Sequence, residues 1–235
     1  MEQITRELIL REARRWVGYS EGDWANFLEY DSPKGGKGRS NYNRFSWLFD
    51  RLLAPKTYAG GNKDGFAWCA TFVTMTIGTA TFTEKENLVH KVSAARIAQL
   101  HEWQKEVLAN LHAALSLKGE SLRAASLLAG VGSFLKFTDI NPCTLAELEP
   151  ADLVIFGNAS CSTAHIGFVE SVDDWNFTTI EGNTRMGAAT PNGGQVCRKT
   201  YRPNGAGLYE IRAGQFIKSW DSFKFYKIKL KGGQE

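Results

Sequence analysis

Apolar positions recur at helical spacing through the first half of the chain. Residues 3–17 place an apolar stripe opposite charged side chains, which predicts an amphipathic helix. A shorter helix is predicted around 46–53, and a third begins near Trp68, where a glycine-rich loop gives way to a long apolar run. Further helical segments are predicted over 84–118 and 122–135. The stripe of the long segment consists of Ile97, Leu100, Trp103, Val107, Leu111 and Leu115.

The pattern changes after Pro142, where short apolar runs alternate with turn residues. Such runs predict β-strands, and they cover residues 153–156, 165–172, 177–181, 196–201 and 222–230. In the last run Tyr226 and Ile228 alternate with lysines, as in a half-exposed strand. Helices followed by strands indicate an α+β fold, with an antiparallel sheet packed on the helix that begins near Trp68.

Composition and charge narrow the classes of function. The 235 residues can bury one sizeable core, and the net charge of +3 suits an acidic polymer surface but is far from a nucleic-acid-binding footprint. No apolar stretch is long enough to span a membrane, and the charged N-terminus lacks the apolar core of a signal peptide. We therefore expect a protein made in the cytoplasm. The four cysteines have no regular spacing, so no disulfide framework, metal or other cofactor is expected.

Three polar features in different parts of the chain are compatible with nucleophilic chemistry. Cys69 falls in the first turn of a predicted helix, whose dipole favours a thiolate, although a lone cysteine is more often a small buried side chain. His165 opens one predicted strand, and Glu181 and Asn183 close the next. Neighbouring antiparallel strands bring the start of one beside the end of the other, so Glu181 or Asn183 would lie next to His165. A thiol, a base and an orienting polar group together make an activated nucleophile.

At these residues the sequence resembles the CHAP family, the cysteine, histidine-dependent amidohydrolases and peptidases of peptidoglycan. Four segments in the same order carry the resemblance: Trp-Cys-Ala-Thr-Phe-Val at 68–73, Pro-Ala-Asp-Leu-Val-Ile-Phe at 150–156, His-Ile-Gly-Phe-Val-Glu at 165–170, and Thr-Ile-Glu-Gly-Asn-Thr at 179–184. It covers residues near 1–80 and 125–230. It implies a papain-like α+β fold forming a single catalytic domain over 1–235, with 84–122 as a helical insertion.

The resemblance also implies roles for individual residues. Cys69 would be the nucleophile and His165 the base, with Glu181 and Asn183 as their polar partners. Glu181 is the main candidate for orienting the imidazole, while Asn183 competes for that role or is simply a turn residue. Trp68 is a candidate substrate-binding residue of the groove, with packing in the core as the alternative.

The sequence departs from the family pattern in several places. Ala151 stands where the family usually has Gly before the aspartate, and Asp152 itself could cap a turn or face the groove. Asn62 and Asp64 are too few hard ligands for the calcium loop of some members. No trailing cell-wall-binding domain is recognisable in the sequence.

The function implied by the resemblance is hydrolysis of an amide in the stem peptide or cross-bridge of peptidoglycan, through an acyl-enzyme on Cys69. Two alternatives stay open: a non-catalytic binding or interaction module on the same scaffold, and a papain-like enzyme acting on another amide. Since the expected substrate lies outside the cytoplasm, we expect action on the cell wall or periplasm after lysis, as for phage endolysins, or after dedicated export, as for antibacterial effectors. An exported effector would have a secretion-system or immunity protein as partner.

Overall fold

The computed structural model describes residues 3–20, 41, 43–53, 67–82, 94–185 and 193–230, with only the backbone of 94–100. Within these residues six α-helices pack on an eight-stranded antiparallel sheet. The expected α+β class, with a central helix packed on an antiparallel sheet, is therefore confirmed.

Helices α1, α2, α3 and α5 begin at or close to the predicted positions, whereas residues 84–93, the predicted start of the long helix, lie outside the described residues. Their bounds are Arg6–Arg15 (α1), Arg44–Leu52 (α2), Cys69–Gly78 (α3), Ala94–Leu115 (α4), Leu122–Ser126 (α5) and Val131–Phe137 (α6). Thr5 caps α1 by accepting a hydrogen bond from the Leu8 amide, and Asn43 caps α2 in the same way. The last predicted helix, over 122–135, is divided into α5, a 3-10 turn and α6. Gly130, which is extended, separates the turn from α6.

The eight strands form one sheet in the order β1-β8-β2-β3-β4-β5-β6-β7. Their bounds are Asn141–Cys143 (β1), Leu153–Asn158 (β2), Cys161–Val172 (β3), Phe177–Thr184 (β4), Gln195–Asn204 (β5), Gly207–Arg212 (β6), Gln215–Trp220 (β7) and Ser222–Lys227 (β8). Strands β1, β6 and β7 were not predicted from the sequence. The β6–β7 hairpin turns at Ala213 and Gly214, both in the left-handed region with φ of 47° and 79°.

Helix α3 lies at the centre of the helical layer, and all ten of its residues are buried. It approaches the sheet closely at Gly182 of β4, where an added Cβ would lie 2.5 Å from the Phe72 side chain. This contact holds the helix against the strand that carries Glu181. On its other side α3 packs against α4, where Gly78 meets Val107.

The sheet curves so strongly that β2 and β7 contact each other on the face away from the helices. Phe156 of β2 and Trp220 of β7 stack with ring centroids 5.2 Å apart, although four strands separate them. This second face encloses its own apolar cluster, which consists of Leu148, Val154, Phe156, Val169, Phe177, Tyr201, Leu208, Trp220 and Phe225. Strands β6 and β7 are thereby brought behind β2 and β3.

The stripe predicted on the long helix is buried in its C-terminal half. Val107, Leu111 and Leu115 are buried, and Trp103 packs against the same core. The side chains of Ile97 and Leu100 lie outside the described part. The half of the stripe that is described therefore packs on the body of the same chain.

Candidate active site

Cys69 is the first residue of α3, and its side chain is buried. Trp68 occupies the N-cap position without a side-chain cap to the helix, so no side chain covers the helix start from that position. Backbone N–H groups and the positive end of the helix dipole lie at the thiol, and both favour negative charge there.

His165 lies on β3 with its ring fully buried. Its Nε2 is 3.0 Å from Oε2 of Glu181, and the ring stacks on Trp220 with an interplanar angle of 7°. Among the described residues Nδ1 forms no hydrogen bond, which leaves this nitrogen available to the Cys69 thiol. Burial lowers the pKa of His165, but the side chains of Cys69 and Glu181 raise it by more, to about 9. The thiol thus lies near enough to the imidazole to affect its pKa.

Glu181 reaches His165 because of the register between β3 and β4. Phe168 pairs with Ile180, so the next pair along the strands sets Gly167 opposite Glu181. A Cβ at Gly167 would lie 2.8 Å from Cγ of Glu181, and its absence lets the carboxylate extend toward His165.

The Glu181 carboxylate is buried in a set of polar groups. Its Oε1 accepts a hydrogen bond of 2.6 Å from the Thr179 hydroxyl, and its Oε2 lies 3.9 Å from Nζ of Lys199. Burial raises the pKa of Glu181, but Lys199, His165 and Thr179 lower it by more, to about 2. The group is therefore an ionised hydrogen-bond acceptor for the imidazole.

Asn183 lies two residues beyond Glu181 on β4, and it is Glu181 that forms the hydrogen bond to the ring. It is buried and adopts a left-handed conformation with φ of 57°, at an irregularity in the pairing of β4 with β5. Its carbonyl oxygen accepts a hydrogen bond from the Gly193 amide. Of the two candidates for the polar partner, Glu181 therefore contacts His165, and Asn183 shapes the backbone at the end of the strand.

Trp68 is fully buried and stacks on Phe45, with Tyr19 packed edge-on against its ring. Its ring thus presents no surface to a substrate, and packing explains its position. Asp152 is also fully buried, and it accepts hydrogen bonds from the amides of Glu149 and Ile228. It acts as a cap rather than as a groove carboxylate. Asn62 and Asp64 lie outside the described residues.

The sequence analysis did not predict which residues of β4, β5 and β7 surround His165 and Glu181. Thr179, Lys199, Tyr201 and Trp220 lie around Glu181 and His165 in the second face of the sheet. Alternation along β5 gives a usable signal, because Lys199 and Tyr201 are two residues apart and share the face of Glu181. No pattern in the sequence indicates that curvature brings Trp220 onto the ring.

Comparisons with protein-family models, with curated proteins and with solved structures each find no match for this chain. Within the described residues no group of three or more His, Cys, Asp or Glu side chains could hold a metal ion. Nor is any helix in those residues both long and apolar enough to cross a membrane. The site that these residues do form joins a thiol at a helix N-terminus to a buried imidazole and an ionised carboxylate, which is the chemistry of an activated nucleophile.

Proposed function

We propose that this protein is a cysteine amidohydrolase or peptidase that cleaves an amide of peptidoglycan. The observation that carries the proposal is the hydrogen bond between the buried His165 ring and the ionised Glu181. The Cys69 side chain lies near enough to the same ring to raise its pKa. Each of these residues lies in one of the segments that resemble the CHAP family. The central helix packed on an antiparallel sheet also fits a papain-like arrangement, which we include in the proposal.

The reaction proceeds by acyl transfer through Cys69. His165 takes the thiol proton, the thiolate attacks the carbonyl carbon of the amide, and a tetrahedral oxyanion forms. Backbone N–H groups at the start of α3 stabilise that oxyanion. The imidazolium gives its proton to the leaving amine as the C–N bond breaks, which leaves a thioester on Cys69. Water, deprotonated by His165, then hydrolyses the thioester and regenerates the thiol.

Glu181 supports both halves of the reaction without touching the substrate. It fixes the ring orientation through Nε2 and stabilises the imidazolium that forms twice in each cycle. Trp220 covers one face of the ring, and this stacking limits water access to the hydrogen bond.

Digestion of purified peptidoglycan tests the proposal. Mass spectrometry of the soluble products should show fragments with one new amine and one new carboxyl group, and these termini identify the bond that is cut. Cys69→Ala and His165→Ala should fold but lose turnover by at least about 10³-fold, as in other nucleophile–base pairs. Cys161→Ser, which changes an exposed thiol, is the matched control and should keep full activity.

The same variants separate the two alternative functions. A protein that leaves peptidoglycan intact, but whose Cys69 is alkylated much faster than Cys161, would be an enzyme acting on another amide. A protein whose Cys69 is no more reactive than its exposed thiol would be a non-catalytic module. Either result would overturn the proposed function.

A further inference from the structure

A line of buried charges continues from Glu181 away from the thiol. Lys199 on β5 is 2% exposed, and its Nζ lies 3.9 Å from Oε2 of Glu181 and 4.0 Å from Oε2 of Glu210. The ammonium also donates a hydrogen bond of 2.6 Å to the Thr184 hydroxyl. Glu210 on β6 is buried in turn and accepts two hydrogen bonds of 2.6 Å from Arg212.

The signs of these charges alternate through the sheet. From the site outward they are the His165 imidazolium, then Glu181, Lys199, Glu210 and Arg212. Each buried charge thus has a neighbour of opposite sign, as burial of charged groups requires. A lysine at the centre of a sheet face is rare without such partners. Its position between two carboxylates therefore points to an electrostatic role rather than to filling space.

The groups around Glu181 show what that role is. His165 faces the carboxylate from β3, Thr179 from its own strand, and Lys199 and Tyr201 from β5. Thr179 contributes a neutral hydroxyl, and His165 gives up its proton in each cycle. Of the cations within 4.0 Å of Glu181 in the described residues, Lys199 is the one that keeps its charge throughout the reaction.

We propose that Lys199 is a positioning residue that holds Glu181 as a carboxylate aimed at Nε2 of His165, and that Glu210 and Thr184 fix Lys199 in place. Lys199 acts through Glu181 and has no contact with the substrate. This inference rests on the proposed function, because it assigns Lys199 to the same catalytic site. Without Lys199, Glu181 takes up a proton at higher pH, and the imidazolium then loses its partner.

The rate at which iodoacetamide alkylates Cys69, measured against pH by peptide mapping, tests the proposal without any assumption about the substrate. Peptidoglycan hydrolysis is measured in parallel. Lys199→Met removes the charge but keeps most of the stem, whereas Lys199→Arg keeps the charge. Lys118→Met makes the same chemical change at a surface ion pair with Asp139 and is the matched control.

In Lys199→Met we expect the acid limb of the alkylation profile to move up by about one pH unit. At a fixed pH on that limb, Cys69 is then alkylated about tenfold more slowly than in the parent. Lys199→Arg and Lys118→Met should keep the parent limb. Added to Glu181→Gln, the Lys199→Met change should have no further effect, because Lys199 acts through that carboxylate. A folded Lys199→Met protein with the parent profile, or an additive effect in the double variant, would overturn the proposal.

Folding failure of Lys199→Met does not end the test. The double variant Lys199→Met with Glu210→Gln removes both charges of the Lys199–Glu210 pair. We expect the acid limb of its alkylation profile to move up in pH by the same amount. A parent-like limb in that variant would also count against the proposal. Absence of peptidoglycan products, with the alkylation profiles as expected, would reject the proposed substrate and leave the role of Lys199 supported.

Discussion

Gly167 provides the space through which the Glu181 side chain reaches His165. A Cβ there would lie 2.8 Å from Cγ of Glu181 and 3.2 Å from the carbonyl oxygen of Ile180. Neither neighbour is the free end of a side chain, so the carboxylate has to shift. We expect Gly167→Ala to fold but to lose about 10- to 100-fold in kcat, since a displacement of about 1 Å can cost 10²-fold.

Gly132→Ala is the control for that experiment, because an added Cβ there has only an ordinary contact of 3.7 Å with the Thr163 hydroxyl. It should keep the parent turnover. Parent-like turnover in Gly167→Ala would mean that Glu181 does not depend on this space.

His165 keeps its proton to an unusually high pH, because Cys69 and Glu181 raise its pKa to about 9 against the effect of burial. The imidazolium that protonates the leaving amine is therefore present below about pH 9 and is lost above it. We expect kcat/KM on peptidoglycan fragments to fall as the pH rises through that value. In Glu181→Gln the alkaline limb should move to lower pH, because the carboxylate that raises the pKa is gone. An unmoved limb would contradict the assigned partnership.

Ala151 adopts a left-handed conformation with φ of 74°, which gives a physical reason for glycine at this position in the family that the sequence resembles. An alanine in this conformation destabilises the folded state by about 1–2 kcal/mol. Glycine removes that strain, but part of the stabilisation is lost because glycine makes the unfolded chain more flexible. We expect Ala151→Gly to raise the free energy of unfolding by about 0.5–1 kcal/mol, measured by urea denaturation. The same change at Ala125, in a helix, should lower it by about 1 kcal/mol or more. A destabilised Ala151→Gly protein would show that the alanine methyl matters more than the backbone.

At the level of elements, the local sequence pattern was enough to predict most of the helices and the two strands that carry His165 and Glu181. Helical spacing located α1, α2 and α3, and short apolar runs between turn residues located β3 and β4, which carry His165 and Glu181. Their antiparallel pairing then follows from adjacency in sequence. Between Glu181 and Asn183 the pattern could not decide, because the choice depends on the exact register and on the irregularity at the end of β4.

The polar residues around His165 and Glu181 could not be predicted, because their positions depend on contacts between strands that are distant in the sequence. Strands β6 and β7 are short and mixed in polarity, and β7 is largely exposed, so neither run of sequence stands out as a strand. Trp220 meets His165 only because the whole sheet curves. Curvature is set by the packing of both faces at once, and no single stretch of sequence encodes it.

Helix α4, which lies in the segment predicted to be a helical insertion, packs on the body of the protein through Val107. Changes at this contact test the role of that segment. A Cβ on Gly78 of α3 would lie 2.7 Å from Cγ1 of Val107, so the two helices fit closely. We expect Trp103→Ala with Val107→Ala to lower the free energy of unfolding by about 3–5 kcal/mol, as loss of buried volume does. Glu102→Ala with Lys105→Ala, on the exposed side of the same helix, should melt like the parent. If the double core variant melts like the parent but loses activity or binding to a partner, α4 is a recognition element instead.

At the scale of the whole molecule, one carboxylate joins segments from the start, the middle and the end of the described chain. Asp152 precedes β2 and is fully buried. It accepts hydrogen bonds from Nη1 of Arg6 at 2.8 Å and from the amide of Ile228 at 3.0 Å, while Arg6 also bonds to the carbonyl of Ile228. Helix α1, the turn before β2 and the segment after β8 are thereby fixed at one point.

We expect Asp152→Ala to lower the free energy of unfolding by about 2–4 kcal/mol, because it removes a carboxylate partner of the Arg6 guanidinium and leaves the amides of Glu149 and Ile228 without their acceptor. Asp152→Asn keeps one acceptor oxygen and should cost about half as much. The control is Asp173→Ala in the β3–β4 turn, and it should barely move the urea midpoint. Among the described residues this carboxylate bonds only to Trp175 and Asn176 of its own turn. Stability is measured by urea denaturation, and turnover on peptidoglycan is measured in the same preparations.

If Asp152→Ala were as stable as Asp173→Ala yet inactive, Asp152 would be a groove carboxylate, the alternative that the sequence left open. Loss of stability with turnover retained in the folded fraction would establish that this carboxylate holds the two ends of the fold together.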